Sequence, residues 1–457
     1  MKITIIGGGS TYNPPFVHAL LERRDSLPIK EIAFMDTDPQ RQEIVVNFIK
    51  RHLRNKGMLK DVKIWATTNL TDAVADADFV IVTIRPGGNR LRALGERIAL
   101  KYGMIGDETV GFEGFAFALR TIPALIKIAK EVERNAPNAW IINVTNPVTV
   151  ATEAMVRYSN VKIIGVGSIK NIHRYYVARW LKVDDPEKIR MIYVGHKHFG
   201  WYLKIWVGDK EVPIDEMVDK YSKWVASLSE YDRIDPEFIR DWRWPIPDIP
   251  LFFKYYYMTD YAVDFWKKRG KTRGEEVVEL QKELLEWFKK ANTIDDIPDY
   301  LFRRGSTELE RGEAAKRRGY GAYMPQLIEI LDAIINDRNR LICEMIPQSG
   351  AVDGFDEKAV LRIPFILNKR GYWPIRIGKL PPEIDGILHL LKAHDYLTIK
   401  AAVTGSCELA IKALLSHPLV MNYHRAKKAF MELLTNVGRE YYPQFMHCLE
   451  KWKEPSL

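Results

Sequence analysis

The sequence predicts an α/β protein, with a parallel sheet covered by helices on both faces and a second, mostly helical α+β part after it. Three observations predict this. Strand-like and helix-like segments alternate through about the first third of the 457 residues. A Gly7-Gly8-Gly9 turn joins the first strand to the first helix. An acidic residue, Asp36, closes the second strand.

The elements follow in order. Lys2–Ile6 is a short apolar run ended by the glycines, hence a strand. Pro14–Arg24 reads as a helix, Glu31–Asp36 as a second strand and Pro39–Lys56 as a long amphipathic helix. Val62–Ala66 and Phe79–Thr83 are further strands with a short helix, Leu70–Asp76, between them. A helix over Phe115–Asn135 leads to strands Trp140–Val144 and Val161–Val166. Met191–Gly195 and Tyr202–Val207 suggest an antiparallel continuation. Beyond them helices dominate, over Ile214–Leu228, Gly274–Ala291, Met324–Asn336 and Ile384–Leu415. We see no repeats and no long linker. The division is a Rossmann-type domain over residues 1–170, packed against an α+β substrate and oligomerisation domain over residues 171–457.

A strand, a glycine turn and a helix suit a diphosphate, because glycines admit the backbone and helix-start N–H groups face the anion. Gly7 and Gly9 supply the first two glycines, Ser10 follows, and Tyr12 stands where a third glycine would be. Asp36 can bind both ribose hydroxyls. It favours NAD over NADP, whose 2′-phosphate it would repel, although Arg41 is close enough in sequence to oppose that preference. Two later strand ends carry turns of the same kind, Arg85-Pro86-Gly87-Gly88 and Asn143-Val144-Thr145-Asn146-Pro147. Asn146 precedes a proline and is held extended, so its amide can point into the cleft.

Composition excludes other classes. The formal charge of +9 suits acidic ligands. Its basic residues are mixed with acids along amphipathic stretches such as Arg273–Lys290, which reads as solvated helix face and not as a nucleic-acid surface. No apolar stretch approaches the roughly 20 residues that span a bilayer, and the first apolar run is only strand-length, so neither a membrane span nor a signal peptide is expected. Cys343, Cys407 and Cys448 form no CxxC pair. We therefore expect no disulfide framework and no zinc knuckle, in keeping with a reducing cytoplasm.

Several further stretches are specific when taken together. They are Ile6-Gly7-Gly8-Gly9-Ser10, Arg85-Pro86-Gly87-Gly88, Lys101-Tyr102-Gly103 with Gly106 to Thr109, Thr145-Asn146-Pro147, and Gly195 with His198. Later come Arg317-Arg318-Gly319, Pro381-Pro382 and the run from Ala413 to Leu419. In these the chain resembles the family 4 glycoside hydrolases, in particular the 6-phospho-β-glucosidase branch, whose fold is that of the lactate and malate dehydrogenase superfamily. The family is NAD-dependent and stands apart from two-carboxylate glycosidases. The resemblance implies oxidation at the sugar C3, removal of the C2 proton by a tyrosine, elimination of the aglycone, addition of water and re-reduction. It also implies a divalent metal, often manganese, held by a cysteine and a histidine. It assigns NAD to Gly7, Gly9, Ser10, Asp36, Arg41 and Arg85, the sugar or sugar phosphate to Arg92, Glu108, Asn146 and Arg318, and the metal to His198, with His196 the nearest competitor. A homodimer or homotetramer is implied as well.

The chain departs from the family at three places. The cysteine ligand should follow Val161–Val166, but the chain reads Gly165-Val166-Gly167-Ser168. The asparagine before the histidine ligand is Lys197. The tyrosine base falls on Phe252, at the head of Phe252-Phe253-Lys254-Tyr255-Tyr256-Tyr257. Phenylalanine takes no proton, and glycine and serine are poor soft-metal ligands. One expectation is a substituted site, with an ammonium from Lys197 or Lys170 where the metal charge would sit and one of Tyr255, Tyr256 and Tyr257 as base; the other is a solvated Lys197 and tyrosines that belong to the core. Two other functions compete. A plain dehydrogenase would use Asn171-Ile172-His173-Arg174 with His198, a loose echo of the hydroxy-acid dehydrogenases. A non-catalytic protein would sense NAD or a sugar.

Overall fold

The computed structural model describes residues 1–167, 172–303, 305, 307–320 and 324–453. Ser168, Lys170 and Asn171 lie outside the described residues.

The first six strands are β1 Lys2–Ile6, β2 Glu31–Met35, β3 Lys63–Thr67, β4 Phe79–Val82, β5 Trp140–Asn143 and β6 Lys162–Gly165. They are parallel and lie in the order β3-β2-β1-β4-β5-β6, the doubly wound arrangement that places a nucleotide across the β1/β4 switch point. Every residue of β4 and β5 is buried, as it must be in strands covered on both faces.

The same sheet then continues with antiparallel strands. These are β7 Ile189–His196, β8 Phe199–Val207, β9 Lys210–Glu211, β10 Ile246–Pro247, β11 Arg340–Pro347, β12 Val360–Asn368 and β13 Gly371–Pro374. Beyond β6 the order is β11-β12-β7-β8-β10, with β13 on β12 and β9 on β8. The joints are narrow. β11 meets β6 at Met345 and Gly165, and β12 meets β7 at Arg362 and Gly195. Both glycines are required by close approach: a Cβ on Gly165 would stand 2.9 Å from a Val148 methyl, and one on Gly195 2.8 Å from the Phe199 carbonyl. These joints bring the end of β6 and the β7–β8 turn to one place.

Three expectations need correction. The second half is mostly helical as expected, but it also adds β11, β12 and β13 to the sheet, strands that the sequence did not show. Pro364 hid β12, since proline lacks the N–H of a central strand. It falls between Arg362, which pairs with β7, and Phe365, which pairs with β13, so the missing N–H meets a gap in the ladder. The helix expected over Ile384–Leu415 is two, Pro382–Thr404 and Cys407–Ser416, broken at Gly405 in the left-handed region (φ 71°). Cys407 and Cys448 form a disulfide, against the expectation of none. Their 41-residue separation gives no local motif, and only the return of helix Met446–Lys453 onto Cys407–Ser416 brings them together. No helix among the described residues is long and apolar enough to cross a membrane.

Candidate active site

One cavity of about 1070 Å³ runs from the glycine turn, along the ends of β1, β2, β4 and β5, to Gly167 and His198. Gly7, Gly9, Ser10, Asp36 and Arg41 line its end at the glycine turn. Gly7 has φ 100°, and its N–H and that of Gly8 donate to the Met35 carbonyl. Asn13, at the start of helix Asn13–Leu21, donates its amide to the carbonyls of both glycines, 3.0 Å each. This clamp was missed in the sequence, where the Asn-Pro-Pro run read only as a helix start. Pro14 and Pro15 bring no N–H to the helix entrance. A diphosphate must therefore draw on the loop before it. The Asp36 carboxylate accepts from Gly9 N–H at 2.7 Å and Asp38 N–H at 3.0 Å, which fixes it at the end of β2. Arg41 donates to the Gly9 carbonyl at 2.8 Å and so serves the turn.

The middle of the cavity holds a charge cluster. Arg85 donates to Glu108 at 2.6 Å, and Arg92 reaches Glu96 at 2.7 Å, Glu108 at 3.1 Å and Asp107 at 3.4 Å. Burial pushes Glu108 up, but the Arg92 and Arg85 guanidiniums outweigh it and hold the carboxyl below the usual carboxylate range. Burial also pushes Asp107 up, and there it outweighs the pull of Arg92, so that carboxyl stands at about 6. Glu96 and Asp107 were not singled out in the sequence. They stand four residues after Arg92 on helix Gly88–Lys101 and in the loop before helix Gly111–Asn135, and no local pattern marks them. At the end of β5, Asn143 accepts from Thr145 N–H and donates to Thr152, both at 3.0 Å. That pins the turn carrying Asn146, whose Oδ1 is buried, lines the cavity side and has no hydrogen-bond partner.

His198 lies in the two-residue turn of the β7–β8 hairpin, at φ 66°. A β-hairpin turn rarely puts a histidine there, and such strain persists where surrounding packing enforces it. The Phe252 ring does so, stacked on the imidazole at 4.2 Å and 3°. Burial, with Lys197 and Arg362 nearby, holds the His198 pKa well below its ordinary value, so the ring is neutral, and Nδ1 has no partner. His196 instead bonds to Asp395 at 2.9 Å.

Other expected residues stand elsewhere. Tyr255 is buried away from the cavity and accepts from Trp266 at 3.2 Å. Tyr256 stacks on Phe199 at 3.9 Å. Helix Pro250–Tyr257 turns Phe252 to His198, so neither tyrosine is presented as a base. Arg318 binds Asp299 at 2.8 Å and Asp295 at 3.0 Å outside the cavity, which removes it from the substrate set. The dehydrogenase echo fails too: His173 pairs with Tyr202 at 3.1 Å and Arg174 with Glu187 at 3.1 Å.

The residues present do not fit a divalent metal at His198. One neutral imidazole faces the place, and position 167 offers no side-chain donor. The neighbouring Lys197 Nζ donates to the Gly167 carbonyl. Among the described residues, the one group of three donors close enough to share an ion is Cys407, His447 and Cys448, where the two sulfurs are bonded to each other.

Residues 2–183 match the family model of family 4 glycosyl hydrolases, and residues 193–420 that of the family 4 glycosyl hydrolase C-terminal domain. The chain is 31% identical to a probable 6-phospho-beta-glucosidase of Bacillus subtilis (strain 168), over 98% of this chain and 99% of that protein. It is 31% identical to a 6-phospho-beta-glucosidase of Thermotoga maritima, over 96% and 99%. The structure of the Thermotoga maritima enzyme with NAD and glucose-6-phosphate superposes with a TM-score of 0.81 at 29% identity, covering 96% of this chain and 99% of that one. A lactate dehydrogenase from a deep-sea metagenome shares the fold alone, at a TM-score of 0.50 and 15% identity, over 88% of this chain and 98% of that one. The nucleotide turn and the two family models therefore agree along nearly the whole length, and the chain belongs to the family 4 glycosyl hydrolases.

Proposed function

We propose that this glycosidase hydrolyses a 6-phosphoglucoside with NAD as a resident cofactor. The observation that carries this is the single cavity that joins the Gly7–Asp36 nucleotide end to the polar groups at Asn146 and Glu108. Asp36 would bind the ribose hydroxyls, and its charge would disfavour a 2′-phosphate. NAD, when bound, supplies a hydride acceptor beside the sugar C3 and returns the hydride at the end. The unpartnered Asn146 Oδ1 would accept from a sugar hydroxyl, since a buried acceptor costs about 1–3 kcal/mol until it is bonded. Glu108, already fixed by two arginines, would accept from another. The 6-phosphate is supported by the relatives' substrates, and the cytoplasm is where such phosphorylated sugars and NAD are retained.

The test is release of nitrophenol from the α and β anomers of nitrophenyl glucoside 6-phosphate and from the unphosphorylated glucosides. Turnover should require NAD, leave no net NADH, and put solvent deuterium at C2 of the product. Steady NADH accumulation would make the protein a dehydrogenase, and tight sugar binding without turnover would make it a binding protein.

We also propose a dimer or tetramer. Helix Pro382–Thr404 exposes Tyr396 and Val403, seven residues apart and so on one face, which a second copy would cover. Light scattering should give two or four times 52.9 kDa, and the mass of a single chain would overturn this.

A further inference from the structure

Two of the three departures from the family touch each other. Gly167 stands two residues beyond β6, and Lys197 is the first residue of the β7–β8 turn, 30 positions on. A Cβ on Gly167 would run into Lys197 Nζ and Met345 Cε, and would stand 2.7 Å from Lys197 Cδ. The lysine side chain thus fills the space that any side chain at 167 would need. It is 1% exposed. Its backbone N–H donates to Thr149 at 3.2 Å, and Nζ bonds to the Gly167 carbonyl. Gly167 N–H in turn donates to Glu344 at 3.3 Å, and Arg362 binds the same carboxylate at 3.1 Å.

Resting on the glycosidase reading above, we propose that the Lys197 ammonium stands in for the divalent cation, so that the NAD-bound enzyme works without a metal. Gly167 and Lys197 are then one exchange: loss of the side chain at 167 makes the room, and the lysine brings both the volume and the positive charge. An ammonium held in a dry site can donate to a sugar oxygen on which negative charge develops, the task that a Lewis acid would otherwise perform. The same ammonium would repel a cation seated between it and His198.

The experiment measures Mn(II) binding to the NAD-bound protein by electron paramagnetic resonance, alongside melting temperature and turnover. Chelator-treated wild type should bind no Mn(II) and keep its rate. Gly167→Cys alone should melt lower, because the new side chain meets Lys197. Adding Lys197→Asn should recover the melting temperature, create a site for about one Mn(II) per chain with His198, and make turnover chelator-sensitive. Lys197→Met should lose about 10²–10³-fold in kcat, with no rescue by Mn(II). Stoichiometric Mn(II) on wild type, abolished by His198→Ala, would overturn the proposal, as would a Lys197→Met variant of unchanged rate. If the double variant does not fold, the wild type and Lys197→Met still decide. NAD and sugar-phosphate binding are followed separately by calorimetry. A protein that binds NAD but hydrolyses no glycoside overturns the functional reading, whereas the Mn(II) result alone judges the exchange.

Discussion

Replacing Arg92 by methionine is expected to cost the fold about 3–5 kcal/mol at pH 8, because the buried Glu96 and Asp107 and the half-buried Glu108 lose the cation they share. Arg92 binds Glu96, Asp107 and Glu108 at once, and its own side chain is 6% exposed. Methionine keeps much of the volume, so the loss is mainly electrostatic. The sign of the pH dependence separates the two causes. Without Arg92 the folded-state pKa of Asp107 rises further above its unfolded value, and that of Glu108 is held less far below its own. The folded variant then holds more protons than the folded wild type over the range of these pKa values, and its deficit grows as pH rises through that range. The deficit should be smaller at pH 5 than at pH 8, and Glu108→Gln in the same chain should restore part of it. Urea melts at the two pH values check this. A deficit equal at both would assign the loss to packing. The kcat/KM should fall as well, because Glu108 would lose one of the two arginines that aim it into the cavity.

The parallel half was legible because its signals are local. A buried strand reads as an apolar run, the helix after it shows its own period, and a glycine or proline marks each joint. Helix Gly88–Lys101 escaped because Gly87, Gly88 and Gly95 weaken its propensity. Gly95 is there because a Cβ would strike the Glu113 carboxylate of the neighbouring helix, a contact that no local pattern encodes. The strands from Arg340 to Pro374 escaped for a similar reason, since Pro364 is tolerated only where the ladder changes partners. The site divides along the same line. Gly7, Gly9 and Asp36 belong to one strand–helix–strand unit and were readable together. The far end is assembled from Glu108, Asn146, Gly167, His198 and Phe252, which only the folded sheet brings close. The departures at Gly167 and Lys197 were visible singly. That they fill one another's space was not, because volume is a property of the packed interior. The tyrosines failed as bases for a rotational reason. Sequence showed three in a row but not the face of the short helix on which each would sit.

Gly7→Ala is expected to remove NAD binding, and the structure sets it apart from the same change at Gly9. At Gly7 a Cβ would collide with the Thr83 carbonyl oxygen and stand 2.8 Å from its carbon, and the backbone lies at φ 100°, a region that alanine rarely adopts. Thr83 is held in turn, its N–H donating to the Ile6 carbonyl at 2.8 Å, so the obstacle is backbone and cannot swing away. The β1 turn must open by shifting away from β4, which breaks the register of Asn13 on the Gly7 and Gly8 carbonyls. We expect a loss of about 2–4 kcal/mol in stability from the strain and lost packing together. NAD affinity should weaken at least about 100-fold, because the amides that meet the diphosphate move with the turn. At Gly9 the nearest atoms are the Arg41 Cγ at 3.0 Å and an Asp36 carboxylate oxygen at 3.1 Å, both on side chains that can yield. Gly9→Ala should therefore weaken NAD only about tenfold, chiefly by moving Asp36 from its 2.7 Å bond to the Gly9 N–H. Linkage provides the measurement. A ligand bound only by the folded state at 100 times its Kd stabilises by about 2.7 kcal/mol, so saturating NAD should raise the melting temperature of the wild type clearly, of Gly9→Ala less, and of Gly7→Ala not at all. An NAD-induced rise in Gly7→Ala equal to that of wild type would mean that the cofactor does not approach this turn, and the nucleotide end of the cavity would have to be reassigned.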